Sequence, residues 1–553
     1  MTWKLDTPAL KAGALACLLA ASTACAQTGT EGAPVVNAPA GPISGQAADG
    51  LHIFKGIPYA RPPVGEARWT PPQPMEPWQD TLQADDYGPS CVQRVRETTS
   101  IYASDITPVS EDCLSLNIWA PEGAANAPVF VWIHGGALSA GSTREPLYDG
   151  ARLAQDGIVV VSINYRLGVL GYMAHPELSA ESPDGVSGNY GLLDQIQALR
   201  WIQDNIGAFG GDADNVTIAG ESAGGLSVMY LMAAPGARGL FSRAIAQSAY
   251  MISTPELKRP VHGAYAAEAV GAYIAGQLGA ANITELRAMD AQAVTDGALA
   301  AGYLTSGTID GHVLPRQLVA TFDRGEQAAV PIIAGFNQGE IRTLTALAPP
   351  VPESAEVYES RIRELYGDMA NDFLRLYPGD DLQESIYETT RDALYSWTAE
   401  RLVRSQEAVG QPGYLYMFDH GYPAAEEQGL HAFHAAELPY MFGNTQRTPP
   451  HWPPLPDTPE EAAYADTMTG YWSSFARTGE PVADGAAAWP NYGRTRAYMH
   501  FAEVPRADQN VLPGVYEFVE ELVCRRRAAG GQGWHWNVGL ASPPVPAGQP
   551  DCE

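Results

Sequence analysis

Near the middle of the chain the apolar segment Val216-Thr217-Ile218-Ala219 runs without a break into Gly220-Glu221-Ser222-Ala223-Gly224, and residues 226–232 continue with helical character. A strand that passes straight into a helix must reverse direction within a few bonds, and small residues around a central Ser permit that turn. The turn lifts the Ser222 hydroxyl above the sheet. It also places the first N–H groups of the following helix, Ala223 among them, where negative charge can develop during acyl transfer. The pentapeptide alone is a weak signal in a chain with 56 glycines. Its setting between strand and helix carries the weight.

The rest of the chain fits a fold of alternating strands and helices. Val129-Phe130-Val131-Trp132-Ile133 and Ile158-Val159-Val160-Val161-Ser162-Ile163 read as buried parallel strands. Ile196, Leu199, Ile202 and Ile206 recur at helical spacing, and Gly207 is the expected stop. Residues 264–301 and 353–408 are mainly helical in pattern, separated by the loop Ala348-Pro349-Pro350-Val351-Pro352. These blocks are expected to lie over the sheet. The predicted class is α/β, with a central, mostly parallel sheet flanked by helices. No linker-like break or internal repeat divides the 553 residues, so residues 27–553 are read as a single domain.

Charge narrows the partners. With 33 Lys plus Arg against 63 Asp plus Glu, the net charge of −30 repels a phosphate backbone, which argues against nucleic acid. Lys4 and Lys11 precede an apolar run over residues 12–21, and Ala24-Cys25-Ala26 resembles a cleavage site. Residues 1–26 are therefore expected to be a secretory signal peptide, giving a secreted or periplasmic protein, with lipid attachment at Cys25 as the alternative. No later stretch is long enough for a transmembrane helix. Cys91, Cys113, Cys524 and Cys552 remain in the mature chain, and an even count in an oxidising compartment points to disulfides. Of the three connectivities that four cysteines allow, Cys91–Cys113 with Cys524–Cys552 is the local one. No cysteine spacing suits zinc.

A second motif follows strand 129–133. In His134-Gly135-Gly136-Ala137 the glycines let the backbone approach a substrate closely, and Gly136 and Ala137 join Ala223 as candidate N–H donors to an oxyanion.

Longer blocks extend these motifs. Phe54-Lys55-Gly56-Ile57-Pro58-Tyr59-Ala60, Ser110-Glu111-Asp112-Cys113-Leu114-Ser115-Leu116-Asn117, Asn164-Tyr165-Arg166-Leu167-Gly168 and Gly188-Asn189-Tyr190-Gly191-Leu192-Leu193-Asp194-Gln195 occur in the order seen in type-B carboxylesterases. So do Phe209-Gly210-Gly211-Asp212 and Phe475-Ala476-Arg477-Thr478-Gly479-Glu480-Pro481 with Trp489-Pro490. The chain thus resembles that family, which includes cholinesterases and para-nitrobenzyl esterases, over nearly its whole mature length.

The resemblance implies the α/β-hydrolase fold, with helical insertions over the active site. It also implies hydrolysis of a small-molecule ester through an acyl-enzyme, with neither cofactor nor metal. Among the 63 acidic residues it selects Glu340, in Ile332-Ile333-Ala334-Gly335-Phe336-Asn337-Gln338-Gly339-Glu340, as the triad acid. Here Gly339-Glu340-Ile341 departs from the family's usual Asp-Glu-Gly. Among 11 histidines it selects His434, in Phe433-His434-Ala435-Ala436-Glu437-Leu438, as the base, rather than its neighbour His431. Ser222, Glu340 and His434 then follow the chain order of α/β-hydrolases. Glu221 resembles the family's buried acid beside the nucleophile. Cys91–Cys113 matches the family's first disulfide loop, which in cholinesterases carries a Trp for the choline cation. Here residues 92–112 contain no Trp, and Tyr102 is their one aromatic residue, so a choline ester is a poor substrate expectation. The expected activity is that of a broad carboxylesterase. The alternatives are an esterase dedicated to one natural compound, such as a toxin, plant ester or polyester fragment, and a silent adhesion protein. The presence of all three triad residues opposes the last. No residue pattern sets an oligomeric state.

Overall fold

The computed structural model describes residues 33–94, 99–534, 538–548 and 552. The expected signal peptide over 1–26, with Cys25, lies outside the described residues. In chain order the strands of the main sheet are β1 (Gln46–Ala48), β2 (Leu51–Pro58), β3 (Ser115–Pro121), β4 (Ala127–Ile133), β5 (Val159–Ile163) and β6 (Gly211–Glu221). They continue as β7 (Arg243–Gln247), β8 (Ile332–Asn337), β9 (Gly413–Phe418), β10 (Ala497–Phe501) and β11 (Arg506–Gln509). Among the described residues they order as β11-β10-β9-β8-β7-β6-β4-β5-β3-β2-β1. From β5 through β10 every neighbouring pair is parallel. The pairs outside that block are antiparallel.

Side-chain alternation splits each central strand between two cores. Val129, Val131 and Ile133 of β4 pack with Ile196, Leu199, Ile202 and Leu226 on one face of the sheet. Phe130 and Trp132 pack with Met468, Trp472 and Phe475 on the other. Because both faces are covered, the strands read as continuous apolar runs. The helices responsible include α1 (Tyr190–Asn205) and α2 (Ala223–Ala233) on the first face and α3 (Pro459–Thr478) on the second.

The helix stop expected at Gly207 lies elsewhere. After α1, Ile206–Phe209 form a 3-10 turn, and Gly210, at φ 83°, makes the left-handed exit. The tighter turn buries both Ile206 and Phe209, and glycine enters the left-handed region without a β-carbon clash.

The topology itself builds a crevice. After β4 the chain places β5 on one side of it and later returns to place β6 on the other. Strand order reverses there, and open α/β sheets bind ligands beyond the carboxyl ends of strands at such a point. Gly220 pairs with Ile133, so residues 134 and 222 leave the sheet at nearly the same level. Of the two helical blocks, 264–301 buries Ile274, Ile283, Leu286 and Val294 against Trp69, Val169, Leu170 and Met173. The second includes helix Leu382–Arg391, a π turn over Asp392–Ser396 and helix Trp397–Ala408. Both local disulfides, Cys91–Cys113 and Cys524–Cys552, are formed.

Candidate active site

Ser222 sits at φ 57°, ψ −120°, a conformation that costs a non-glycine residue free energy and persists only when the surroundings impose it. Here they do. Its N–H donates to the Gln247 carbonyl at 2.9 Å, and its own carbonyl accepts the Leu226 N–H at 2.9 Å. A β-carbon on Gly224 would lie 2.1 Å from the Ile133 carbonyl oxygen, so only glycine lets α2 start this close to β4. Glu221 and Ala223 are buried, whereas Ser222 retains partial exposure.

The loop after β4 borders this turn. A β-carbon on Gly135 would stand 3.2 Å from the Ser222 β-carbon. Gly136, Ala137 and Leu138 follow at φ 107°, 55° and 56°, and two of these are non-glycine residues in the left-handed region. The loop is held at both ends. The Ser139 and Ala140 N–H groups donate to the Gly136 carbonyl at 3.0 and 2.9 Å, and the Gly168 N–H donates to the Leu138 carbonyl at 2.7 Å. At its start the Tyr165 hydroxyl donates to the His134 carbonyl at 2.8 Å while the two rings stack at 4.6 Å. Gly136 and Ala137 remain accessible, and Ala223 is the first residue of α2, whose N–H has no acceptor one turn back.

Glu340 and His434 are delivered by neighbouring strands. Glu340 follows β8, His434 lies beyond β9, and a bridge between Gly339 and Phe433 brings the two loops together. The departure at position 339 has a geometric reason. The Gly339 N–H donates to the Ala432 carbonyl at 2.8 Å, and a β-carbon there would come within 2.7 Å of the Leu430 carbonyl oxygen. The fully buried Glu340 bonds His434 Nδ1 through Oε2 and accepts the Asn337 N–H at 2.8 Å through Oε1. His434 Nε2 lies 3.1 Å from Oε1 of Glu221, the residue directly before Ser222. His431 pairs with Glu426 at 2.8 Å on the surface.

Burial works against a charged imidazole, but Glu221, Glu340 and Glu437 together outweigh it and hold the His434 pKa at about 9. Glu437 lies in a buried network the sequence reading did not foresee. Its carboxylate accepts from Asn337 Nδ2 at 2.6 Å and from Gln247 Nε2 at 3.0 Å, and Trp472 Nε1 donates to Gln247 Oε1 at 3.0 Å. Desolvation, opposed by the Asn337 bond and reinforced by Glu340, lifts the Glu437 pKa to about 7. The Tyr395 ring, on the π turn, packs on the His434 ring at 5.4 Å. Gln247 and Trp472 lie in unremarkable strand and helix sequence, so no local signal marks them. Among the described residues no cluster of His, Cys, Asp and Glu could hold a metal ion, and no helix is long and apolar enough to cross a membrane.

Comparison with known proteins gives the family. Residues 32–519 match the model of the carboxylesterase family. The chain is 36% identical over 483 residues to the fumonisin B1 esterase of Sphingopyxis macrogoltabida, covering 83% of this chain and 85% of that one. It is likewise 36% identical over 466 residues to the para-nitrobenzyl esterase of Bacillus subtilis, covering 83% and 92%. Among solved structures, a PNB esterase superposes with a TM-score of 0.75 at 34% identity, covering 87% of this chain and 97% of that one. A carboxylesterase of Geobacillus stearothermophilus gives 0.71 at 32% identity, covering 90% and 99%. The chain belongs to the carboxylesterase family and is a carboxylic ester hydrolase with the α/β-hydrolase fold.

Proposed function

We propose that Ser222 is the nucleophile, His434 the general base and Glu340 the residue that orients it, with Gly136, Ala137 and Ala223 donating to the oxyanion. The observation that carries this reading is the placement of the His434 ring, with Nδ1 bonded to Glu340 and Nε2 3.1 Å from the carboxylate of Glu221, the residue next to Ser222 in the chain. In the reaction His434 takes the Ser222 proton as its oxygen attacks the ester carbonyl, and then passes that proton to the departing alcohol. Water, deprotonated by the same imidazole, attacks the acyl-enzyme and regenerates the hydroxyl. Each oxyanion donor is worth about 2.7–4 kcal/mol of transition-state stabilisation in comparable sites. Glu221 favours the imidazolium that forms during both steps.

The expected specificity is broad, for uncharged esters of alcohols or phenols. Identity with an enzyme named for fumonisin B1 supports one second reading, a dedicated esterase for a single natural compound. A panel of p-nitrophenyl esters separates them, since a generalist turns over many members and a specialist almost none. Residues 1–26 act as an export leader and 27–553 as one catalytic unit; the two disulfides support an oxidising compartment. The central test is Ser222→Ala, which abolishes turnover and covalent labelling by a fluorophosphonate while leaving the unfolding midpoint unchanged. Substantial activity in the folded variant would overturn the assignment.

A further inference from the structure

We propose that Tyr102, which lies between Cys91 and Cys113 in the chain, is a positioning residue for His434. This rests on the catalytic roles given above.

Around Cys91 the chain is fastened to the oxyanion side. The buried Gln93 side chain donates to the Gly141 carbonyl at 2.9 Å and accepts the Gly141 N–H at 2.8 Å, a closed amide pair. Beside it Ser90 Oγ donates to Ser142 Oγ at 2.7 Å. The partners, Gly141 and Ser142, lie one helical turn's length of chain beyond the strained turn at 136–138.

Tyr102 itself reaches His434. The Tyr102 hydroxyl donates to the His434 carbonyl at 2.9 Å and lies 2.7 Å from Thr343 Oγ1. Thr343 closes the short turn that Glu340 opens, so one phenol oxygen touches both the acid's turn and the base's backbone. The Tyr102 ring meets Trp452 edge-on at 5.9 Å, and Trp452 packs on Phe433 at 4.8 Å. The position of the hydrogen bond matters. The His434 carbonyl belongs to the peptide leading into Ala435, which is left-handed at φ 69°, a conformation alanine disfavours. Glu340 holds the imidazole ring, whereas Tyr102 holds the peptide from which that ring hangs. Without the phenol, the strained peptide can relax and shift the ring from its place between Glu340 and Glu221.

Tyr102→Phe removes the hydroxyl and keeps the ring on Trp452. We expect kcat to fall roughly three- to ten-fold, the scale of one lost hydrogen bond, with KM and the unfolding midpoint unchanged. The rate of fluorophosphonate labelling at Ser222 should fall by the same factor. Thr343→Val, which spares the bond to His434, should lose less. An unchanged kcat in Tyr102→Phe overturns the inference. So does a loss that appears in KM or that accompanies a lower unfolding midpoint, because Tyr102 would then act only in substrate binding or stability. If Ser222→Ala retains turnover, the catalytic reading itself falls. If Ser222→Ala is dead and Tyr102→Phe is fully active, only the positioning role of Tyr102 does.

Discussion

His434 is buried among three carboxylates, and this decides how the protein should respond to pH. In the proposed reaction the imidazole must be neutral to accept the Ser222 proton, yet its neighbours keep it protonated up to about 9. The kcat/KM of the free enzyme should therefore rise with pH through an apparent pKa well above the ordinary histidine value of 6.5. Glu221→Gln removes one of the carboxylates raising that pKa, so its profile should move to lower pH; an unmoved profile would exclude Glu221 from the electrostatics of the base. Stability runs the other way. A histidine with a folded pKa above its unfolded one contributes stability that is complete below about 6.5 and is lost as pH rises through about 9. The protein should be most active where this contribution to its stability is weakest, which thermal melts and rate profiles on one sample would test.

At the scale of elements, the strand-turn-helix unit works because two backbones almost touch. Gly224→Ala would drive a methyl into the Ile133 carbonyl, 2.1 Å from its built position, and push α2 away from β4. The expected cost is about 1–3 kcal/mol of stability from overpacking. A second cost is about a hundred-fold in kcat, because a shift of the order of 1 Å at the proposed nucleophile is enough. A variant with normal melting and normal turnover would show that the turn tolerates more slack than its contacts imply. The π turn over Asp392–Ser396 is a second such element. It keeps Tyr395 against the His434 ring, while Arg391 pairs with Asp392 at 2.7 Å and donates to the Gln338 carbonyl at 3.3 Å. Strand existence and helical blocks were legible from apolar runs and spacing, whereas this turn was not. One extra residue per turn leaves no pattern in hydrophobicity.

Over the whole molecule, the disulfides close loops of 22 and 28 residues' separation, each worth about 3 kcal/mol through constraint of the unfolded chain. Intact mass before and after reduction and alkylation should reveal two bridges, and reduction should lower the melting temperature. Free thiols in freshly exported protein would contradict the compartment proposed.

Ser222, Glu340 and His434 could be proposed from the chain because backbone geometry at a sharp turn, and blocks shared with a family, are written in consecutive residues. The alternation of strands and helices was equally local. What folding alone decided is which distant groups meet. Gln247, Glu437 and Trp472 come from separate strands, loops and helices, and nothing near them in the chain announces their hydrogen bonds. The three carboxylates around one imidazole set its proton affinity only because they converge on it in buried positions, and a Coulomb interaction depends on distance in space, to which order along the polymer gives no access.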